Sequence, residues 1–370
     1  MIISIIKKIL AAISSLLVIS VSMFLLSKMV PGDPVEVALG MDPSSATQMD
    51  YEQEYERKKK DLSLHLPYFY FSVLPSNFPK NLQEKGTLSE LRERRHKLMK
   101  EAKLLPKVHW HGTKNQYHNW IWGDNVSVLD GKAASYKIGR ALVWTMFLVI
   151  LSVSLSYGLG ILIGLMLSSM RSVRLRAVFE AWLFGVYAIP VFWMATLLLV
   201  FFTTKEYGAW TNIFPAVGLV PIDYGEAWYS RIGKFGSQLI LPCFVLVLHN
   251  LAFLSMLTKR NLDKHRKLAF TKTSKAYGFK QSEILIKEVL PMSLLPLITS
   301  LSSAIPTAIG GSLIVEIIFN IPGMGRLLFT SVLNYDWPVV FPIVLLIACI
   351  TYITYLLADV FYKIADPRIQ

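Results

Sequence analysis

The sequence predicts an all-α, polytopic membrane protein with six transmembrane helices, and three observations predict it. Six windows carry no charged side chain: Ile9–Ser27, Ala141–Met170, Ala181–Thr204, Phe235–Thr258, Val289–Val315 and Trp337–Ala358. An α-helix needs about 20 apolar residues to cross ~30 Å of hydrocarbon. Inside lipid each segment must pair its own backbone N–H and C=O groups, so such runs are helices. Composition agrees, with 53% hydrophobic and only 17% charged residues and a mean hydropathy of +0.45. The third observation is where the cations lie. With a cytoplasmic N-terminus, the inner segments hold Lys7, Lys8, Arg171, Arg174, Arg176, nine Lys/Arg from Lys259 to Lys287, and then Lys363 and Arg368. The two short outer loops hold only Lys205, Arg231, Lys234 and Arg326. This is the positive-inside pattern, and it places both termini in the cytoplasm. It also explains the net charge of +13 without a nucleic-acid partner.

The first element, residues 1–30, is a transmembrane helix. Lys7-Lys8 ahead of an apolar run resembles a signal peptide, but Ser27-Lys28-Met29-Val30-Pro31 offers no small-x-small cleavage site, so the helix reads as an uncleaved anchor. It stops at Pro31-Gly32-Asp33-Pro34, because proline lacks the N–H and clashes with the preceding turn. Residues 31–138 then form an extracytoplasmic segment. Tyr51–Asp61 is highly charged, Thr87-Leu88-Ser89-Glu90 is a capping-box pattern opening a helix towards Leu105, and Tyr68-Phe69-Tyr70-Phe71 lies among prolines. His109, His111 and His118 beside Trp110 have metal-ligating side chains, but no acidic or cysteine ligand accompanies them, so the expected metal complement is none.

Residues 139–370 form a five-helix core. Helices two and three make a hairpin across the basic loop 171–176, and the outer loop that follows carries Trp210, Trp228 and Tyr229 at the expected interface. Gly160 and Gly164 form a small-xxx-small pair that permits close approach of another helix. Pro190, Pro306 and Pro342 lie inside windows, where they kink a helix. Glu180, Glu316 and Asp359 fall near window ends and read as interfacial; His249 is the intramembrane histidine. Cys243 and Cys349 both fall in windows and read as small apolar side chains. The segment 259–291 predicts two short helices, one before Gly278 and one from about Ser282, with Gly278 supplying the turn. Such a segment suits docking of a soluble partner, or contact with lipid headgroups.

Gly278, followed at Leu290 and Pro291, resembles the cytoplasmic loop of bacterial ABC-importer permeases. Pro31-Gly32-Asp33-Pro34-Val35, Ile189-Pro190-Val191-Phe192-Trp193, Phe319 through Pro322-Gly323-Met324-Gly325-Arg326-Leu327, Asp336-Trp337-Pro338-Val339-Val340 and Asp359 to Asp366-Pro367-Arg368 are similar to the B-type permease of oligopeptide and dipeptide importers. The resemblance implies a non-catalytic inner-membrane subunit that forms half of a translocation pathway. Its implied partners are a second homologous permease, two cytoplasmic ABC ATPases, an extracytoplasmic substrate-binding protein and the lipid bilayer, with no cofactor. It assigns Ala276, Tyr277, Gly278, Leu290 and Pro291 to ATPase coupling, and leaves Pro190, Gly160, Gly164 and Pro306 as pathway or kink positions. Peptide is the implied solute, with a nickel chelate or glutathione as alternatives. Two departures stand out: Lys272-Thr273-Ser274 replaces the acidic-alanine start of the loop, and the segment between helices one and two is enlarged across about 45–115. No phosphate-binding loop, H-E-x-x-H or G-x-S-x-G occurs, which agrees with hydrolysis on another polypeptide. An ATP-independent secondary transporter would need charged residues at membrane depth, and the windows lack them.

Overall fold

The computed structural model describes residues 2–39, 48–75, 106–123, 125–208, 210–215 and 228–365. The capping-box segment from Thr87, and Asp366 to Arg368, lie outside them, as do the side chains of Trp228, Tyr229 and Asp359. The helices are α1 (Ile2–Met29), α2 (Pro34–Leu39), α3 (Gln48–Asp61), α4 (Gln116–Trp122), α5 (Ala134–Ser169), α6 (Val173–Ala188), α7 (Val191–Thr203) and α8 (Trp228–His265). They continue with α9 (Ala269–Ala276), α10 (Gln281–Ile284), a π-helical turn Leu285–Val289, α11 (Leu290–Ile318), α12 (Met324–Leu333) and α13 (Trp337–Ala365). Two strands, β1 (Phe71–Pro75) and β2 (Pro106–Trp110), pair antiparallel with Val73 opposite Val108.

Five stretches are long and apolar enough to span a bilayer: Leu10–Met29, Ala134–Ser169, Gly236–His265, Gln281–Ile318 and Trp337–Ala358. The sixth expected span is not one continuous helix. It is the pair α6 and α7, bent by 94° at Ile189-Pro190. Pro190 has no N–H to donate, and the residue before a proline is pushed out of the helical region; Ile189 duly sits extended, at φ −74° and ψ 123°. A 94° bend exceeds the kink expected at that position. The connections differ too. Helix α6 begins inside the basic stretch expected to be a loop, and α8 starts at Trp228, inside the expected outer loop.

The chain divides into two compact units. The larger comprises Met1–Val21, Ser135–Leu333 and Val340–Gln370. At its centre Leu148 of α5, Ala195 of α7, Val245 of α8 and Val315 of α11 are fully buried together with Ile321. Lipid tails are as apolar as leucine, so packing and interhelical hydrogen bonds hold such a bundle. Tyr157 Oη lies 2.9 Å from Ser300 Oγ, linking α5 to α11, and Ser15 Oγ donates to Tyr352 Oη at 3.0 Å, linking α1 to α13.

The most constrained part of this unit is the connection after α11. Helix α11 ends in a Schellman motif: Asn320 takes a left-handed φ of 52°, the Ile321 N–H donates to Glu316 C=O (2.8 Å) and the Asn320 N–H to Ile317 C=O (3.2 Å). Pro322 then bars continuation, and α12 begins two residues later. Glu316 was expected near the membrane interface; it lies two residues before the end of its span and is fully buried in protein. Its Oε1 accepts from Thr145 Oγ1 (2.7 Å) and Ser312 Oγ (3.0 Å), and its Oε2 from the Arg326 N–H (3.0 Å). The Gly325 N–H donates to it as well. Thr145 in turn accepts the Met324 N–H at 2.7 Å. The carboxylate therefore satisfies N–H groups that the first turn of α12 cannot pair internally, and its charge suits that positive helix end. Glycine is required beside it, because a Cβ on Gly323 would overlap the Glu316 carboxylate and one on Gly325 would lie 2.5 Å from Leu313 Cα.

The smaller unit, Ser22–Ala134 with Asn334–Val339, has an aromatic core. Phe24, Phe69, Tyr117 and Trp120 pack with ring centroids 4.6–6.4 Å apart. Lys28 Nζ lies over the rings of Phe24 and Tyr68, each at 5.2 Å, and donates to Gln116 Oε1 at 2.6 Å. The fully buried Asp336 accepts from Ser127 Oγ (2.6 Å) and the Val128 N–H (2.9 Å). Gly32, at φ +139°, faces the Tyr335 ring at a distance that excludes any Cβ, and Tyr335 Oη donates to Pro31 C=O at 2.8 Å. Asp33 accepts the Val35 N–H (2.8 Å) and Tyr55 Oη–H (2.5 Å). Burial, and then the hydrogen bond to Asp33, push the Tyr55 phenol well above its usual value.

The Glu316 network gives a direct expectation. Glu316→Ala leaves buried donors from Thr145, Ser312 and the start of α12 without an acceptor, at a cost of about 3 kcal/mol or more. The melting temperature of the detergent-solubilised protein falls by several degrees. Glu316→Gln retains an acceptor for Thr145 and Ser312 and loses less. Equal melting temperatures for all three proteins would contradict the assignment.

Candidate functional site

The residues singled out around Gly278 and Pro291 occupy one connector between α8 and α11. Its first part, α9, carries Lys272, Thr273, Lys275 and Ala276 on its exposed surface, while Thr271 is buried. Tyr277 follows at 80% exposure, and Gly278 turns the chain at φ +86° with open space around it. Such a φ costs an L side chain about 1–2 kcal/mol, so the glycine is there for conformation and not for room. Phe279 is exposed as well, and α10 starts the return, with the Glu283 carboxylate accepting the Lys280 N–H at 3.2 Å.

This connector is fastened to the spans. Leu262 of α8 and Ile284, Leu285 and Val289 form a buried cluster, against which Leu165 of α5, Phe270 of α9 and Leu290 pack. Ser274 Oγ lies 2.9 Å and 2.8 Å from the two oxygens of Glu288, tying α9 to the start of the next span. At the end of α8, Asp263 accepts from Ser168 Oγ (2.8 Å) and the Arg266 guanidinium donates to Ser168 C=O at 2.5 Å. Burial lowers the Arg266 pKa from its usual value, while Asp263 opposes the shift.

The return was expected to enter its span at Leu290-Pro291. The helix is already formed from Gln281, and the π-helical turn Leu285–Val289 lies immediately ahead of Pro291. Pro291 cannot donate to Lys287 C=O, and in an α-helix its ring would clash with that carbonyl. The wider turn, in which the Leu290 N–H donates to Leu285 C=O, relieves the clash. π-turns of this kind occur often at functional positions.

Gly160 and Gly164 stand one turn apart on α5 against α8. A Cβ on Gly160 would lie 2.7 Å from Leu254 Cβ, and one on Gly164 would lie 2.5 Å from Thr258 Cβ and 3.0 Å from Ser255 C=O. These glycines let two backbones approach just before α8 reaches the connector. Gly160 and Gly164 thus pack α5 on the same helix, α8, that supplies Leu262 to the buried cluster against which Leu290 packs. Pro190 is at the α6–α7 break and Pro306 is inside α11, both outside the buried cluster. Among the described residues no group of three His, Cys, Asp or Glu side chains could hold a metal ion. His111 instead pairs with Ser72 (2.8 Å) and His118 with Tyr70 (3.1 Å). Sequence reasoning missed the role of Glu288, whose place fourteen residues after Ser274 gives no local signal of contact.

Residues 160–370 match the family described as binding-protein-dependent transport system inner membrane component. The oligopeptide transport system permease protein AppB of Bacillus subtilis (strain 168) is 29% identical over 369 residues, covering 99% of this chain and 98% of that protein. A protein of Brucella abortus (strain 2308) named as a peptide transport system permease is 26% identical over 373 residues, with 99% and 98% covered. The peptidoglycan transport system permease protein YejB of Agrobacterium fabrum is 32% identical over 231 residues, covering 60% of this chain and 63% of its own length.

The α5–α8 contact makes two neighbouring glycines behave oppositely. Gly164→Ala forces α5 and α8 apart and lowers the melting temperature, whereas Gly158→Ala, with nothing within 4 Å of its Cβ position, is neutral or slightly stabilising through helix propensity. Thermal unfolding of the two variants beside the parent chain checks this.

Proposed function

This chain belongs to the family of binding-protein-dependent transport system inner membrane components, as the permease subunit of an ABC importer, and on that premise we propose that peptide is its solute. The two relatives matched along nearly their whole length carry peptide-transport names. In this reading the chain pairs with a second homologous permease, and two ATPase subunits supply the nucleotide chemistry. A substrate-binding protein delivers peptide to the side opposite the ATPases, where part of residues 45–115 contacts it. The chain itself performs no bond chemistry; it provides half of a passage that opens alternately to each side.

The observation that carries the coupling role is the connector: an outward-facing turn at Tyr277-Gly278-Phe279 on a base packed against both adjoining spans. An ATPase groove closing on α9 would displace this turn. The Ser274–Glu288 contact and the buried cluster would transmit the displacement to α8 and α11. Lys272, Lys275 and Lys280 give the exposed surface a positive character, which suits an acidic groove in the ATPase in place of one that receives an acidic loop.

Replacing Gly278 with valine forbids the left-handed turn, while asparagine tolerates it. Gly278→Val lowers peptide uptake at least tenfold at unchanged membrane abundance, and either releases the ATPases on purification or leaves their hydrolysis unresponsive to the loaded binding protein. Gly278→Asn keeps most activity. Full uptake by the valine variant would refute the docking role. Orientation is tested separately. With Cys243 and Cys349 replaced by alanine, a cysteine at Lys132 reacts with a membrane-impermeant maleimide from outside the cell, and one at Lys275 reacts only after permeabilisation. Both labelled from the same side would overturn the orientation.

A further inference from the structure

Between α6 and the second half of α8 lies a cavity of about 820 Å³ whose lining changes character from one end to the other. Phe253, Leu257, Arg260, Lys264 and Lys267 all line it. Their spacing of three or four residues puts them on one face of α8 and the turn that follows it. That face is apolar up to Leu257 and cationic from Arg260 onwards. Leu183 and Phe184 of α6 continue the apolar wall; Phe184 is 62% and Phe253 45% exposed.

Three of the cations at the polar end find no acid among the described residues, although Asp263 also lines the cavity. Lys259 is held by Glu180 (2.9 Å) and Asp263 (3.3 Å), and Glu180 also faces Arg176 at 3.8 Å. The acids at this end are thereby taken. Arg260, Lys264 and Lys267 are exposed and form no ion pair among the described residues. Like charges one helical turn apart repel, so an anion received there would relieve the repulsion.

Depth identifies the anion. The stretch of α8 long and apolar enough to span a bilayer ends at His265, which puts Arg260, Lys264 and Lys267 around its end, where headgroups would lie. Phe253 lies twelve residues before His265, about 18 Å deeper at 1.5 Å per residue, among acyl chains. A soluble phosphate would use the cations and leave the apolar wall uncovered. A phospholipid matches both ends, and basic pockets between membrane helices bind anionic headgroups. We propose that this cavity is a binding site for one anionic phospholipid, its headgroup held by Arg260, Lys264 and Lys267 and an acyl chain laid along Phe184 and Phe253. This assignment goes beyond the transport reading.

The test uses the assembled importer in nanodiscs of equal phosphatidylglycerol and phosphatidylcholine, followed by native mass spectrometry of retained lipid. The parent complex keeps phosphatidylglycerol in preference to phosphatidylcholine. The combined variant Arg260→Gln, Lys264→Gln, Lys267→Gln loses that retention at least tenfold; all three side chains are exposed and form no ion pair among the described residues, and assembly is verified by size-exclusion chromatography. Should the triple variant not assemble, Lys264→Gln alone still lowers retention several-fold. The control Arg171→Gln, Arg174→Gln, which removes exposed cations outside the cavity, stays within twofold of the parent. Equal retention of both lipids, undiminished phosphatidylglycerol in the Lys264 or triple variant, or an equal loss in the control would each overturn the proposal. A photoreactive phenylalanine at Phe184 labels lipid; if it instead crosslinks to the second permease, the cavity is a subunit interface and the proposal fails.

Discussion

The buried carboxylate of Glu316 is the constraint from which the arrangement between α11 and α13 follows. A charge removed from water is costly unless it is fully hydrogen-bonded, and here two hydroxyls and two backbone N–H groups surround it. The need runs in both directions. Helix α12 begins inside the protein, where water cannot reach its unpaired N–H groups, so a side chain must supply the acceptors. Once the carboxylate is placed there, Gly323 and Gly325 are obligatory, because backbone has to pass within contact distance of Glu316 and Leu313. The run from Phe319 to Leu327 is thus one structural statement: stop a helix, turn, and start another on a buried acid.

The smaller unit repeats the device. Asp336 receives the Val128 N–H and the Ser127 hydroxyl, and Asp33 receives the Val35 N–H and the Tyr55 hydroxyl. In each case a carboxylate accepts from backbone at a change of chain direction. Each also lies in a stretch that carried the family resemblance, and the geometry gives the physical content of those stretches. Gly32 sits under Tyr335, Asp33 caps α2, Glu316 caps α12, and Asp336 holds the loop around Ser127.

The parts of the fold legible in the sequence were those set by local composition. Charge-free length located the spans, and Gly278 marked a turn because few other residues adopt its φ. The α6–α7 break was not legible, since an uncharged run measures length and carries no record of direction; Pro190 signalled a kink without its size. Helix α12 escaped because ten residues are too few for a span and its ends are defined by Glu316, eight residues before it begins. The burial of Glu316 was not legible for a related reason. An acid near a window end reads as interfacial when counted alone, whereas the Asn320-Ile321-Pro322 stop behind it was a readable sign of a turn folding back over that residue. The π-turn and the Ser274–Glu288 contact depend on how two helices meet, which spacing along one chain does not encode.

How the connector would act follows from where it is stiff and where it yields. Leu262, Ile284, Leu285 and Val289 share one buried cluster, and Gly160 and Gly164 bring α5 against α8 with no slack. Close-packed contacts of this kind move together, because interiors have few voids to absorb displacement. A push at Tyr277 would therefore shift α8 and the base of α11 as a body. Yielding would be concentrated where backbone hydrogen bonding is already irregular: the turn Leu285–Val289, the prolines Pro296 and Pro306 within α11, and the Ile189-Pro190 break. The turn and the two α11 prolines lie along the chain between the connector and Val315. Motion entering at the connector would thus be taken up along α11 before it reached Glu316, whose hydrogen bonds are all made within the buried core. The acid-pinned end would then serve as the fixed point about which the connector end swings.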